Sequence, residues 1–155
     1  MAKPKEKALA ADYINVDLEV RSRTALQPLA DALSRRLFSL YVGGSKGDFL
    51  ATFENGAGVA KTSTPDLAMM RLVRAIDSLP PEIKRHWTGA RDRVFDIGVA
   101  AATGSKAFQL SLSTATVAAV TRLNARIALT FYPPYYPGTV NPTRALRRTA
   151  LVRRR

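Results

Sequence analysis

The stretch YINVDLEVR, residues 13–21, decides the fold because apolar and polar side chains alternate along it without a break. Its apolar residues occupy the even positions from Ile14 to Val20, and its polar residues the odd positions from Asn15 to Arg21. Successive side chains of a strand point to opposite faces of a sheet, so this alternation predicts a strand with one buried face. We expect the other elements of the domain to pack against this strand.

The period changes to that of a helix directly after this strand. From Thr24 to Leu37 the apolar residues follow helical spacing, with Arg35 and Arg36 at the C-terminal end, where positive charge is favoured. Residues 38–54 return to a period of two on either side of a glycine-rich stretch, which predicts a hairpin.

The second half of the chain carries the same kinds of signal. Thr64 and Pro65 predict a helix start, and Pro80 and Pro81 predict its end. The remaining predicted elements are a short helix over 81–90 that buries Ile83 and Trp87, strands over 94–101 and 107–112, a helix after Ser113 or Thr114, and a last strand over 127–131.

The predicted fold class is α+β, with one domain over residues 13–134. We expect a mixed sheet of about six strands and three to four helices, in the order βαββα-ββαβ, with the helices mainly on one face. Segments 14–42 and 108–132 share a plan of strand, cap, helix and strand. Two interpretations of that plan stay open. The segments are pseudo-duplicated βαβ units, or they share the same order of elements without duplication.

Composition excludes several classes of chemistry. The chain has no cysteine, which rules out disulfides, thiolate metal sites and cysteine nucleophiles. No apolar run approaches the roughly 20 residues of a membrane-spanning helix, and the start MAKPKEKALAADY lacks the apolar core of a signal peptide. We expect a cytoplasmic protein with no membrane partner.

Positive charge is concentrated near the C-terminus. The net charge is +12, and residues 141–155 contain no acid but six arginines: Arg144, Arg147, Arg148, Arg153, Arg154 and Arg155. We predict a flexible basic segment over 1–12, and a Pro/Tyr linker with an Arg-rich tail over 135–155. Arginine bonds both phosphate and carboxylate, so nucleic acid and an acidic protein are both candidate partners.

No motif predicts catalysis, a cofactor or a metal. The loop ENGAGVAKTST, residues 54–64, resembles a phosphate-binding loop but lacks glycine at two required positions. His86 is the only histidine. An enzyme would need His86 or the carboxylates Asp17, Glu19 and Asp96 to meet in one cleft.

The segment WTGARDRVFDIG, residues 87–98, gives the candidate recognition surface within the domain. A functional interpretation exposes Trp87, Arg91 and Arg93 to a partner, with Gly98 allowing close approach. The structural interpretation instead pairs Asp96 with Arg91 or Arg93, or has it accept backbone hydrogen bonds.

Three functional hypotheses follow. The first is a non-enzymatic binding module, a small bacterial-type adaptor or immunity-like protein that binds an acidic protein partner. The alternative is sequence-independent nucleic-acid binding by the Arg-rich tail together with Arg35, Arg36, Arg71 and Arg74. An enzyme ranks third, and pairing of edge strands between copies of the chain stays open.

Overall fold

The structure is a computed structural model that describes residues 11–56, 64–102 and 106–133. These residues form five strands and four helices: β1 (Asp12–Ser22), α1 (Gln27–Leu33), β2 (Phe38–Ser45), β3 (Asp48–Glu54), α2 (Pro65–Asp77), α3 (Pro81–Thr88), β4 (Asp92–Ala100), α4 (Thr114–Arg122) and β5 (Arg126–Tyr132). The strands form one sheet in the order β2-β3-β1-β4-β5. It is antiparallel except between β4 and β5, which confirms the predicted mixed sheet and α+β class.

The alternating stretch forms the central strand β1, as predicted. Val16, Leu18 and Val20 are buried on one face. Leu18 lies opposite Phe53 of β3 and Phe95 of β4, so these three side chains form the middle of the core. Burying such large apolar groups is the main stabilising contribution of this strand.

The helices cover this apolar face of the sheet. Leu29 and Leu33 of α1, Leu72 and Ile76 of α2, and Val120 of α4 belong to the same buried cluster as the β1 side chains. The opposite face of β1 presents polar residues. Helices on one side and an open polar face on the other match the layer arrangement predicted from the sequence.

Two predicted helix starts are confirmed by their caps. The Thr64 hydroxyl accepts a hydrogen bond from the Leu67 backbone N–H, and the Ser113 hydroxyl accepts one from the N–H of Thr116. Such bonds satisfy backbone donors that the first helical turn leaves free.

The first helix is shorter than predicted. Thr24 does not cap it: its hydroxyl lies 3.2 Å from the Ser22 hydroxyl, and its backbone N–H donates to that same oxygen, in the turn that leaves β1. The helix begins three residues later, at Gln27, with no side-chain cap on Leu26.

The predicted hairpin is formed by β2 and β3. Lys46 and Gly47 form its turn with φ angles of 51° and 77°. Two successive positive φ angles match the right-handed twist of the flanking strands, and glycine adopts such an angle without strain.

The predicted strand over 107–112 is wrong. Residues 106–113 have no strand structure, and Leu110 and Leu112 pack against the core from an irregular segment. β1 and β5 occupy both sides of β4, so a further strand has no neighbour to pair with there.

This correction also changes the pseudo-duplicated units. The second parallel unit is β4-α4-β5, with its two strands adjacent, whereas β3 lies between the two strands of β1-α1-β2. The shared pattern therefore does not produce two equivalent units.

None of the helices in the described ranges is long and apolar enough to cross a membrane. Almost all of the predicted basic segment 1–12 lies outside the described residues. So do the tail at 135–155 and most of the loop that resembles a phosphate-binding loop.

Candidate partner-binding surface

Trp87 lies inside the domain, contrary to the interpretation that exposes it. Its side chain is in α3 and only 3% exposed. The indole Nε1–H donates a hydrogen bond of 3.2 Å to the carbonyl of Leu123, just after α4. Trp87 thus joins two helices, and its ring is not available at the surface.

Arg93 is also buried, with 6% of its surface exposed. Its guanidinium lies 5.7 Å from the centre of the Trp87 ring. Its N–H groups donate to four backbone carbonyls at 2.7–3.2 Å, those of Trp87, Thr88, Ala90 and Asn124. Burial lowers the pKa of Arg93. The carbonyls accept its hydrogen bonds, so this arginine connects the end of α3 to the loop after α4.

Arg91 is the one member of this trio at the surface. Its guanidinium forms an ion pair with Asp48 at the start of β3, and its backbone N–H donates to the carbonyl of Arg21. Of the three side chains of the predicted exposed patch around Trp87–Arg93, only that of Arg91 is therefore at the surface.

Asp96 pairs with neither arginine, which corrects the structural interpretation. Both of its carboxylate oxygens accept from the Thr130 hydroxyl of β5, at 2.9 and 2.8 Å. A Cβ added to nearby Gly98 would lie 2.8 Å from the Asn15 side-chain oxygen. The close approach that Gly98 permits is thus made by a residue of the same chain.

The polar face of the sheet carries a row of three carboxylates. Asp17 of β1 lies opposite Glu54 of β3 and Asp96 of β4. The Asn15 amide donates to Asp17 at 2.8 Å and to Glu54 at 3.2 Å. The sequence analysis grouped Asp17 with Asp96 but missed Glu54. Its position at the end of an alternating strand could have placed Glu54 on the same polar face.

Further carboxylates of this face are also bonded within the molecule. Asp92 accepts two hydrogen bonds from Arg126, which lowers the pKa of Asp92. Glu19 lies 3.9 Å from Arg21. The acidic groups of the open face are largely engaged by residues of the same sheet.

Of the residues named for a possible catalytic group, the structure brings Asp17 and Asp96 together as cross-strand neighbours. His86 lies in α3, whereas the carboxylate row lies on the open face of the sheet. Within the same ranges, no group of three His, Cys, Asp or Glu side chains is placed to hold a metal ion.

A different set of arginines is exposed on the helix side. Arg35 and Arg36 follow α1, while Arg71 and Arg74 lie on the outer side of α2. Within the part of the chain that the structure describes, no carboxylate comes within ion-pair distance of these four side chains. We call these four arginines the basic helix surface.

A groove of about 500 Å³ adjoins this surface between α1 and the α2–α3 connection. Arg35 and Arg36 line one wall, and the apolar side chains of Leu79 and Ile83 line the other. Arg71, Arg74 and Ser78 follow the i, i+3, i+7 spacing of one helix face, and Ser78 also lines the groove. The basic stripe of α2 therefore leads toward this groove.

These features define an α+β protein with one mixed five-stranded sheet, helices on one face and a polar open face. Comparisons with protein-family models, curated proteins and solved structures give no match to this chain. The arginine sites in residues 144–155 lie outside the described residues.

Proposed function

We propose that this chain is a non-enzymatic binding protein, of the adaptor or immunity type, whose basic helix surface binds an acidic protein partner. The observation that carries the proposal is the difference between the two sides of the sheet. Carboxylates on the open face form hydrogen bonds and ion pairs within the domain. The four arginines on the helix side have no carboxylate partner in the described residues.

Solvated arginines that face one way create a positive potential that attracts an acidic surface and speeds its association. They also offer planar donors that match a carboxylate in two parallel hydrogen bonds. The basic helix surface can therefore both orient an approaching partner and form specific hydrogen bonds with it.

The groove favours a protein over a nucleic acid as the partner. Leu79 and Ile83 on the groove can contact an apolar side chain of a protein, whereas a sugar–phosphate backbone has no such group to insert. Protein interfaces combine an apolar centre with a charged rim, and arginine is common among their strongest contacts.

The test is affinity capture from cells of the source organism with three forms of the full chain. The wild type is compared with R35E/R36E, which reverses two charges beside the groove, and with R91E as an exposed arginine away from that groove. We expect an acidic protein to be retained by the wild type and by R91E but lost from R35E/R36E. Retention of the same proteins by all three forms would contradict the proposal.

The alternative is sequence-independent nucleic-acid binding, which the six arginines of residues 141–155 favour. Affinity from phosphate contacts alone falls steeply with salt, because binding releases counterions. The test is a titration of labelled DNA and RNA at low and physiological salt. Tight binding at physiological salt that disappears when all six tail arginines become glutamine would make nucleic acid the better proposal.

A further inference from the structure

The strand β5 is an edge of the sheet with an uncovered apolar row. Within the described residues its only strand neighbour is β4. Ile127, Leu129 and Phe131 pair with core residues of β4 and so face the helix side. Yet Leu129 is 49% and Phe131 64% exposed. Large apolar side chains beside a free strand edge are typical of surfaces that pair with another chain.

The helix beside this edge extends the apolar surface. Arg122 of α4 pairs with Asp77, which marks the side of α4 that faces α2. Val117 lies about 140° from Arg122 around the helix, since each residue adds about 100°. It is 43% exposed and therefore lies on the side of α4 away from α2.

The other edge of the sheet is built differently. The pairing of β2 with β3 contains an irregularity between Ser39 and Tyr41, and Gly43, Gly44 and Lys46 follow along β2 and its turn. Bulges, glycines and lysine are devices that discourage edge pairing. The pairing of β5 with β4 shows no such shift over its seven residues.

We infer that β5 is the interface of a two-fold dimer, in which it pairs antiparallel with β5 of a second copy around Leu129. Leu129 is the middle residue of the strand. In this register Leu129 meets its own copy, Ile127 meets Phe131 of the second copy, and the two sheets become continuous. Apolar residues then face each other along the whole helix side of the junction.

In this register, the residues that must pair across the two-fold axis have backbone N–H and C=O groups that point away from β4. The carbonyl of Tyr132 accepts a hydrogen bond from the N–H of Ala101, so Tyr132 directs its polar backbone groups toward β4. Backbone groups alternate in direction along a strand, which turns those of Phe131, Leu129 and Ile127 outward. These are the residues that must exchange hydrogen bonds across the two-fold axis.

Charge is also compatible with self-pairing. Arg126 is the only ionisable residue within the strand except for Tyr132, and it forms an ion pair with Asp92 of its own sheet. An antiparallel pair sets Arg126 opposite Tyr132 of the second copy. It also separates the two Arg126 residues by about 20 Å along the strands, beyond the screening length at physiological salt.

The first test is the mass of the full chain by light scattering over a concentration series. We expect a monomer–dimer equilibrium that shifts to the dimer as the concentration rises, because a single strand pair with its flanking side chains is a small interface. L129K should be a monomer, since it sets two lysines against each other at the axis. F38K, which changes an exposed aromatic residue on the other edge strand, should remain a dimer. A wild-type monomer at every concentration, or a dimer lost in F38K and kept in L129K, would overturn the inference.

Amide hydrogen exchange of the wild type supplies a test that does not depend on a variant folding. The N–H groups of Ile127, Leu129 and Phe131 should exchange more slowly as the protein concentration rises, while those of Ala128 and Thr130 should be protected at all concentrations by β4. Protection of the first three that does not change with concentration would show that another segment of the same chain covers the edge, which also overturns the inference.

Discussion

Arg93 shows how one charged side chain can organise the interior of a small domain. Its guanidinium donates to four carbonyls at the ends of α3 and α4 and lies over the ring of Trp87. Four carbonyl oxygens that point into one buried site need a donor with several N–H groups, which arginine alone among the side chains provides in a fixed fork. The strength of this site comes from the number of acceptors that would be left without a donor.

Replacing Arg93 by methionine should therefore lower the free energy of unfolding by about 3 kcal/mol, since the apolar stem is kept but buried carbonyls lose their donor. Urea unfolding followed by the fluorescence of Trp87, the one tryptophan of the chain, measures this change. R91M is the matched control, and we expect it to cost at most about 1 kcal/mol because its ion pair is exposed. Equal losses in the two variants would show that Arg93 does not connect the helices.

Tyr13 gives a prediction at high pH. Burial, together with the charge of Asp17, raises its pKa from 10.0 to about 12. The folded state thus keeps a proton that the unfolded chain loses, so stability is complete below pH 10 and falls as the pH rises toward 12. Urea unfolding at pH 8 and pH 11 should show a smaller loss of stability for Y13F than for the wild type. An identical loss would contradict the assignment.

At the scale of the elements, sequence patterns predicted a strand or a helix start correctly where nearby residues alone determine it. The strict alternation of residues 13–21 predicted β1, and the cap residues Thr64 and Ser113 predicted the starts of α2 and α4. The alternation in residues 107–112 failed as a strand signal because β4, the preceding strand along the chain, already lies between β1 and β5. Which strands lie beside β4 is a property of the whole sheet and not of the local sequence.

The cap of α4 carries a stability prediction. S113A should destabilise the protein by about 1 kcal/mol, because the N–H of Thr116 loses its acceptor while the backbone bond from Ser113 to Asp66 is kept. S111A, an exposed serine just before the helix, is the control and should change little. Thermal unfolding of the two variants makes the comparison, and an equal effect in both would mean that the cap contributes nothing.

At the scale of the whole molecule, the two sides of the sheet differ in how their charged groups are paired. Carboxylates of three neighbouring strands meet on the open face and are bonded there, whereas Arg35, Arg36, Arg71 and Arg74 are exposed on the helix side. The sequence identified Arg35, Arg36, Arg71 and Arg74 as basic, but whether they share a side depends on how helices far apart in the chain pack. The helical spacing of residues 81–90 predicted that Trp87 is buried, but the sequence could not show that Arg93 is buried beside it.

Binding of an acidic protein by the basic helix surface is tested by calorimetric titration of the purified, captured partner into three forms of the full chain. The forms are the wild type, R35E/R36E and the variant with all six tail arginines changed to glutamine. We expect R35E/R36E to bind about tenfold more weakly or worse, since charge reversal sets like charges against an acidic surface, and the tail variant to bind nearly as the wild type does. Unchanged affinity in R35E/R36E, or binding that disappears only in the tail variant, would contradict the proposal.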